Sequence, residues 1–250
     1  MRAAGDLRTI GPDLRSSAAR HALVALAGVF LASVLLAELL ELGHDFAPRT
    51  LVLKGLGLLL LVQYLPAHAP LRELGPGNRI TLLRAAIVAL LAGFVLETLT
   101  PLICWLLVVI ATCAAFLDIA DGRLARRAGT ASPFGARFDM ETDAAMIAVL
   151  ALLVWQLDKA GGWVLLAGAL RYAFVGAAAV LPWLAAPLPA SRRRQTFCVI
   201  QIVVLIVLLA PIVTPPFSTL VAAISVALLC YSFAIDVRWL YRHRNQGGIG

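Results

Sequence analysis

Paired cysteines, strand-like alternation and long polar stretches are all missing from this chain, and each absence removes a class of protein. Only 14% of the 250 residues are charged, against 61% hydrophobic, and mean hydropathy is +0.91. That composition carries too little polar surface for a soluble domain. The apolar runs do not alternate with polar residues, so a closed β-barrel is excluded. The four cysteines, Cys104, Cys113, Cys198 and Cys230, lie far apart in or beside apolar runs. With no CxxC or Cys/His spacing, a disulfide framework and a zinc site drop out, and small buried packing residues remain as their reading. The net charge of +7 is not a nucleic-acid signal, because too little chain lies outside the apolar runs to build a folded basic face. The first apolar run is too long for a signal peptide and continues into "ELLELGHD" without a small-x-small cleavage site, so it reads as a retained membrane helix.

What is present is a series of apolar runs, each on the order of 20 residues, the length that spans a bilayer as a helix. In hydrocarbon a backbone must satisfy its own hydrogen bonds, so these runs predict an all-α, polytopic membrane helix bundle. Eight membrane helices are expected, roughly at 21–42, 51–66, 80–99, 101–124, 135–157, 162–184, 196–213 and 217–239. Breaks such as "GHDFAPR", "PAHAPLRELGPGN", "AAPLPASRRR" and "PIVTPP" separate them. The second run is short and carries Lys54, which makes it the weakest of the eight. With the N-terminus in the cytoplasm, every lysine and arginine except Arg49, Lys54, Lys159 and the intrahelical Arg171 falls at the cytoplasmic ends. The positive-inside rule then places both termini, and the one acidic cluster of the chain, at the cytoplasmic face of the cell's inner membrane.

That cluster is "DIADGRLARRAGTASPFGARFDMETD", residues 118–143, at the junction of two apolar runs. Asp118 and Asp121 are three apart at the end of one expected helix, and Asp139 and Asp143 are four apart near the start of the next. Both spacings put side chains on one helical face, so a hairpin brings four carboxylates together. Four anions beside hydrocarbon repel one another unless a cation joins them. Oxygen-only ligands suit magnesium, manganese or calcium, and four carboxylates suffice for the paired ions that assist phosphoryl transfer. Gly122, Ala125 and Gly135 leave room for a ligand, and Arg126 offers a planar fork for phosphate. Arg127 and Glu141 read better as topology anchors. The pattern so far is metal, phosphate and a cleft at the membrane surface.

The full spacing, Asp118-x2-Asp121-Gly122-x2-Ala125-Arg126-x8-Gly135-x3-Asp139-x3-Asp143, resembles the signature of the CDP-alcohol phosphotransferases (CDP-alcohol phosphatidyltransferases), membrane enzymes of phospholipid synthesis. Upstream, "GNRITLLR" is similar to that family's Asn-x2-Thr-x2-Arg opening of its first core helix, through Asn78, Thr81 and Arg84. The resemblance implies a six-helix catalytic domain over residues 71–241, preceded by a tail and two additional helices in residues 1–70 and followed by a tail, 242–250. It implies that Asp118, Asp121, Asp139 and Asp143 hold two Mg2+ or Mn2+ ions, with Asp143 also the general base on the acceptor hydroxyl. Asn78, Thr81, Asp118, Gly122, Ala125, Arg126 and Gly135 would contact the CDP moiety. The implied reaction moves a phosphatidyl group from a CDP-linked lipid donor to a small polar alcohol with release of CMP, in a homodimer embedded in the bilayer.

The acceptor is read from the remaining arginines. Arg171 inside an apolar run needs an anionic partner, and Arg192, Arg193 and Arg194 share the face of the acidic cluster. Together they favour glycerol 3-phosphate or another phosphorylated alcohol over serine or inositol, although Arg192 to Arg194 serve equally as anchors to anionic lipid. The four histidines, His68 among them, read as boundary residues. An ion transporter would scatter carboxylates through several helices at mid-bilayer, and an inactive scaffold would lack one of the aspartates; neither pattern is present.

Overall fold

The computed structural model describes residues 12–68, 73–127, 132–189 and 191–244, with the side chains of residues 12, 60, 61 and 119–127 outside that description. Among the described residues there is no strand. Eight α-helices follow one another in these described residues: α1 (Pro12–Leu39), α2 (Phe46–Tyr64), α3 (Gly75–Gly93), α4 (Pro101–Arg127), α5 (Pro133–Gln156), α6 (Leu166–Val180), α7 (Arg192–Leu208) and α8 (Phe217–His243). The protein is an all-α, multi-pass membrane bundle, as its hydropathy predicts.

Among the described residues five stretches are long and apolar enough to cross a membrane: Asp13–Leu39, Phe46–His68, Pro101–Asp118, Gly162–Val180 and Phe217–His243. The other three expected spans are helices of a different character. α3 contains Arg79 and Arg84, α5 contains Arg137, Asp139, Glu141 and Asp143, and α7 has 17 residues and opens on three arginines. Helix ends also depart from the hydropathy limits. α1 starts at Pro12, well before the expected 21, because a helix continues through the headgroup region once it is formed, and Asp13 in its first turn complements the helix dipole.

Local sequence explains the starts of the helices that carry the acidic cluster. Thr100 precedes Pro101 and its hydroxyl accepts from the Ile103 N–H at 3.4 Å. Ser132 precedes Pro133 and accepts from the Gly135 N–H at 3.1 Å. Each is a hydroxyl N-cap followed by a proline whose missing N–H costs nothing in the first turn. α3 begins at Gly75, whose φ of 72° is open to glycine and strained for other residues. The 27 residues of α4 rise about 40 Å, more than the roughly 30 Å of a hydrocarbon layer, so the helix is longer than an upright crossing requires.

The chain divides within α5 into two compact units, 2–145 and 146–250. In the first, α3 packs on α4 and on both α1 and α2. Between membrane helices lipid removes the hydrophobic driving force, and close packing through small residues replaces it. A Cβ at Gly93 would stand 2.2 Å from Thr50 Oγ1, which measures how near α2 comes to α3. Phe46 and Phe94 meet edge to face at 4.8 Å beside it. Lys54, the residue that weakened the expectation of a second span, is 2% exposed and donates to the Leu82 carbonyl at 3.2 Å; it faces α3, and α2 forms around it. At the same end as Gly93, Arg49 donates to the carbonyls of Gly93 (3.0 Å) and Val95 and pairs with Glu97 at 3.1 Å.

In the second unit α7 packs on α8, and α6 on α8. A Cβ at Gly168 of α6 would lie 2.5 Å from the Ala148 Cα of α5. Lys159 is 7% exposed, and its ammonium caps the end of α7 through the carbonyls of Ala210 (3.4 Å), Pro211 (3.4 Å) and Val213 (2.5 Å). Its own carbonyl accepts from Ser218 and Thr219 at the start of α8.

Candidate active site

Three helices of the first unit meet at one group of charges. α4 supplies Asp118, α5 supplies Asp139 and Asp143 one turn apart, and α3 supplies Arg84. One carboxylate oxygen from each aspartate lies within 4.8 Å of the others. Arg84, 1% exposed, sits among them: Nη1 is 2.8 Å from Asp118 Oδ1 and 2.6 Å from Asp139 Oδ1, and Nη2 pairs with Asp143. The aspartate side chains are 27%, 39% and 21% exposed, so the guanidinium forms the floor and the carboxylates the rim. With all three carboxylates ionised the group carries a net charge of −2, and its carboxylates are hard oxygen donors, a set that fits a divalent cation. The backbone of α4 carries Asp121 three residues after Asp118, on the same face. The side chains of Asp121, Gly122, Ala125 and Arg126 lie outside the described residues.

α3 turns a polar stripe toward this group. Asn78, Thr81 and Arg84 recur every three residues and are 6%, 3% and 1% exposed. Asn78 Nδ2 donates to the Leu74 carbonyl at 2.7 Å, which leaves Oδ1 directed at Gly135. A Cβ at Gly135 would stand 2.6 Å from that oxygen, so any larger residue requires a shift there, and the first turn of α5 lies close to the Asn78 side chain of α3. Thr81 donates to the Gly77 carbonyl at 3.2 Å.

The sequence model described as CDP-alcohol phosphatidyltransferase matches residues 76–231, from the first turn of α3 into α8 and more than half of the chain. The chain belongs to the CDP-alcohol phosphatidyltransferase family. Comparison with curated proteins and with solved structures finds no match. As a member of this family the protein is a membrane transferase of phospholipid biosynthesis that moves a phosphatidyl group from a CDP-alcohol, and family members typically use a divalent metal. α1 and α2 lie outside the matched segment.

Elsewhere in the phosphatidyltransferase the arginines are more committed than their sequence positions suggest. Arg193, in the first turn of α7, donates to the Ser232 carbonyl (2.6 Å) and hydroxyl (3.0 Å) and pairs with Asp236 of α8 at 2.5 Å. Arg194 stands 3.6 Å from the same carboxylate and donates to the Pro189 carbonyl. Arg192 is exposed, and Arg171 is half-buried on α6. Asp236, 8% exposed, escaped the sequence reading because a single acid in an apolar helix has no local partner to reveal it. Arg84 was legible as part of a motif, but not as the counter-ion of three aspartates. His68, read as a boundary residue, is instead fully buried and hydrogen-bonded through both ring nitrogens.

Proposed function

We propose that this phosphatidyltransferase takes its phosphatidyl group from a CDP-linked lipid such as CDP-diacylglycerol and delivers it to a small phosphorylated alcohol, with release of CMP. The observation that carries the reading is the convergence of Asp118, Asp139 and Asp143 on one point within the family-matched segment. Asp118, Asp121, Asp139 and Asp143 hold a pair of Mg2+ or Mn2+ ions. When bound, these ions neutralise the diphosphate and the charge that develops on the departing CMP phosphate.

The chain's own residues then orient and deprotonate. Asp143 accepts the proton of the acceptor hydroxyl as its oxygen bonds to the lipid phosphorus, and the bond from that phosphorus to the CMP oxygen breaks. Asn78, Thr81, Gly122, Ala125, Arg126 and Gly135 line the nucleotide, with Gly135 admitting close approach. The acyl chains remain in the bilayer, because the C-terminal turns of α4 stand where hydrocarbon gives way to water. Arg171 and Arg192 to Arg194 attract the anionic acceptor, and for Arg193 and Arg194 its phosphate takes the place of Asp236. Serine or inositol is the alternative acceptor. The catalytic domain spans 71–241, the cleft faces the cytoplasm from the inner membrane, and the enzyme is a homodimer.

The test is CMP release from CDP-diacylglycerol and Mg2+ with a panel of alcohols. At least one acceptor should give metal-dependent release, abolished in Asp143→Asn. Sustained turnover by that variant removes Asp143 from the role of base.

A further inference from the structure

The start of α5 is held by a residue outside the family-matched segment. Ser132 caps this helix by accepting from the Gly135 N–H at 3.1 Å, and its hydroxyl lies 2.7 Å from His68 Nδ1. The other ring nitrogen, Nε2, lies 2.8 Å from the Glu73 carbonyl, which can only accept. Nε2 therefore carries the proton of a neutral ring, Nδ1 accepts, and the Ser132 hydroxyl donates to it. The bonds run in one direction, from Gly135 N–H to Ser132, from Ser132 to His68, and from His68 to Glu73. A hydroxyl used as both acceptor and donor has its rotation fixed, so the cap is locked and not merely present.

Two further contacts join the same pieces of chain. The Phe134 ring meets the His68 ring edge to face at 5.3 Å and is buried in the cluster of Leu14, Ala18, Leu65, Leu74 and Leu82. Arg137 lies over the Tyr64 ring at 4.2 Å. The end of α2 and the 3-10 turn Leu65–His68 thus grip the first turns of α5 by a hydrogen bond, an aromatic contact and a cation–π contact. The other arm of the histidine reaches Glu73, beside Leu74, whose carbonyl orients Asn78. Both sides of the Gly135–Asn78 contact are therefore referred to one imidazole. Asp139 and Asp143 follow Gly135 on successive turns of the same face.

We propose that His68 is a positioning residue of the active site. It sets the placement of the first turns of α5 against α3, and hence of Asp139 and Asp143 relative to Arg84 and Asp118. The N-terminal helix pair acts as a brace of the metal-binding hairpin. The inference rests on the reading of these aspartates as metal ligands.

The test compares His68→Ala, His68→Gln, Ser132→Ala and the double variant His68→Ala/Ser132→Ala. The readout is the Mg2+ concentration equal to the dissociation constant, fitted from the logarithmic rise of melting temperature with Mg2+, with CMP release followed in parallel. His68→Ala should raise that concentration about tenfold, and the KM for CDP-diacylglycerol by a similar factor, while kcat falls less than threefold. Glutamine, which can donate to Glu73 and accept from Ser132 at once, should restore both constants to within threefold. Ser132→Ala should shift both constants in the same direction as His68→Ala, and the double variant should be no worse than His68→Ala, because the Ser132–His68 bond is already lost in it.

A His68→Ala protein that melts lower but keeps the wild-type Mg2+ and donor constants overturns the inference, as do effects of the two substitutions that multiply. If His68→Ala does not fold, His68→Gln and Ser132→Ala decide by the same criteria. A Mg2+ response that depends on His68 without CMP release from any acceptor leaves the positioning role standing and removes the proposed reaction. A wild-type protein whose melting ignores Mg2+ removes both.

Discussion

Replacing Arg84 by methionine keeps the apolar stem and deletes the charge that three aspartates share. Their nearest oxygens lie within 4.8 Å of one another. At an effective dielectric of about 20, each pair of carboxylates at that distance repels by roughly 3–4 kcal/mol. The 39% exposure of Asp139 places its share at the lower end. That repulsion is what the guanidinium offsets, and removing one partner of a buried ion pair typically costs about 3–5 kcal/mol. Arg84→Met should therefore be destabilised by about that amount when divalent ions are chelated. Mg2+ at about a hundred times its dissociation constant should return close to 3 kcal/mol. Thermal unfolding in detergent, with chelator and then across a Mg2+ titration, reads both effects. The variant should melt well below wild type in chelator and recover more of its stability from Mg2+ than wild type gains. Equal melting temperatures in chelator, or a variant indifferent to Mg2+, would refute the account of Arg84 as the counter-charge of a cation site.

Gly135→Ala places a methyl 2.6 Å from Asn78 Oδ1, so either the Asn78 side chain or the first turn of α5 must shift; CMP release should fall at least tenfold, and wild-type rates would show that the contact relaxes without disturbing the site. Gly168→Val drives a branched side chain into the Ala148 backbone at 2.5 Å, and a loss of about 1–3 kcal/mol is expected in thermal unfolding, with Mg2+ affinity unchanged. Arg193→Ala breaks the link to Asp236 and Ser232; if an anionic acceptor competes for this arginine, its KM rises while that of the CDP-linked donor stays, and equal rises in both would assign the residue to structure alone.

The aspartates were legible because their spacing is itself geometry: three and four residues on a helix put them on one face, and a short connection folds the two faces together. The helices were legible for an equally simple reason, since no other backbone survives in lipid without partners. Hydropathy located the eight helices but not the roles of the charges that three of them carry. α3 and α5 carry Arg79, Arg84, Arg137 and Asp139 within their first three turns, and those charges are tolerated because the structure pairs or buries them, which composition does not register. The long-range partners were hidden for the same reason. Arg84 precedes Asp143 by 59 residues and His68 precedes Ser132 by 64, and nothing in the local pattern of either residue names its match. Lys54 shows the converse error, in which a charge that argued against a helix is the residue that fastens it to its neighbour.

α2 is attached to the matched segment at both of its extremities. Arg49 grips the carbonyls that follow α3 and the Glu97 carboxylate, whose other oxygen receives the Gly43 N–H at 3.1 Å, and His68 grips the approach to α5. A gene trimmed to begin at residue 76 would lose both buckles, take the Arg49 guanidinium from Glu97, and strip the lid from Phe134. For this chain the unit that can be cut, grafted or expressed is longer than the unit that bears the family's signature.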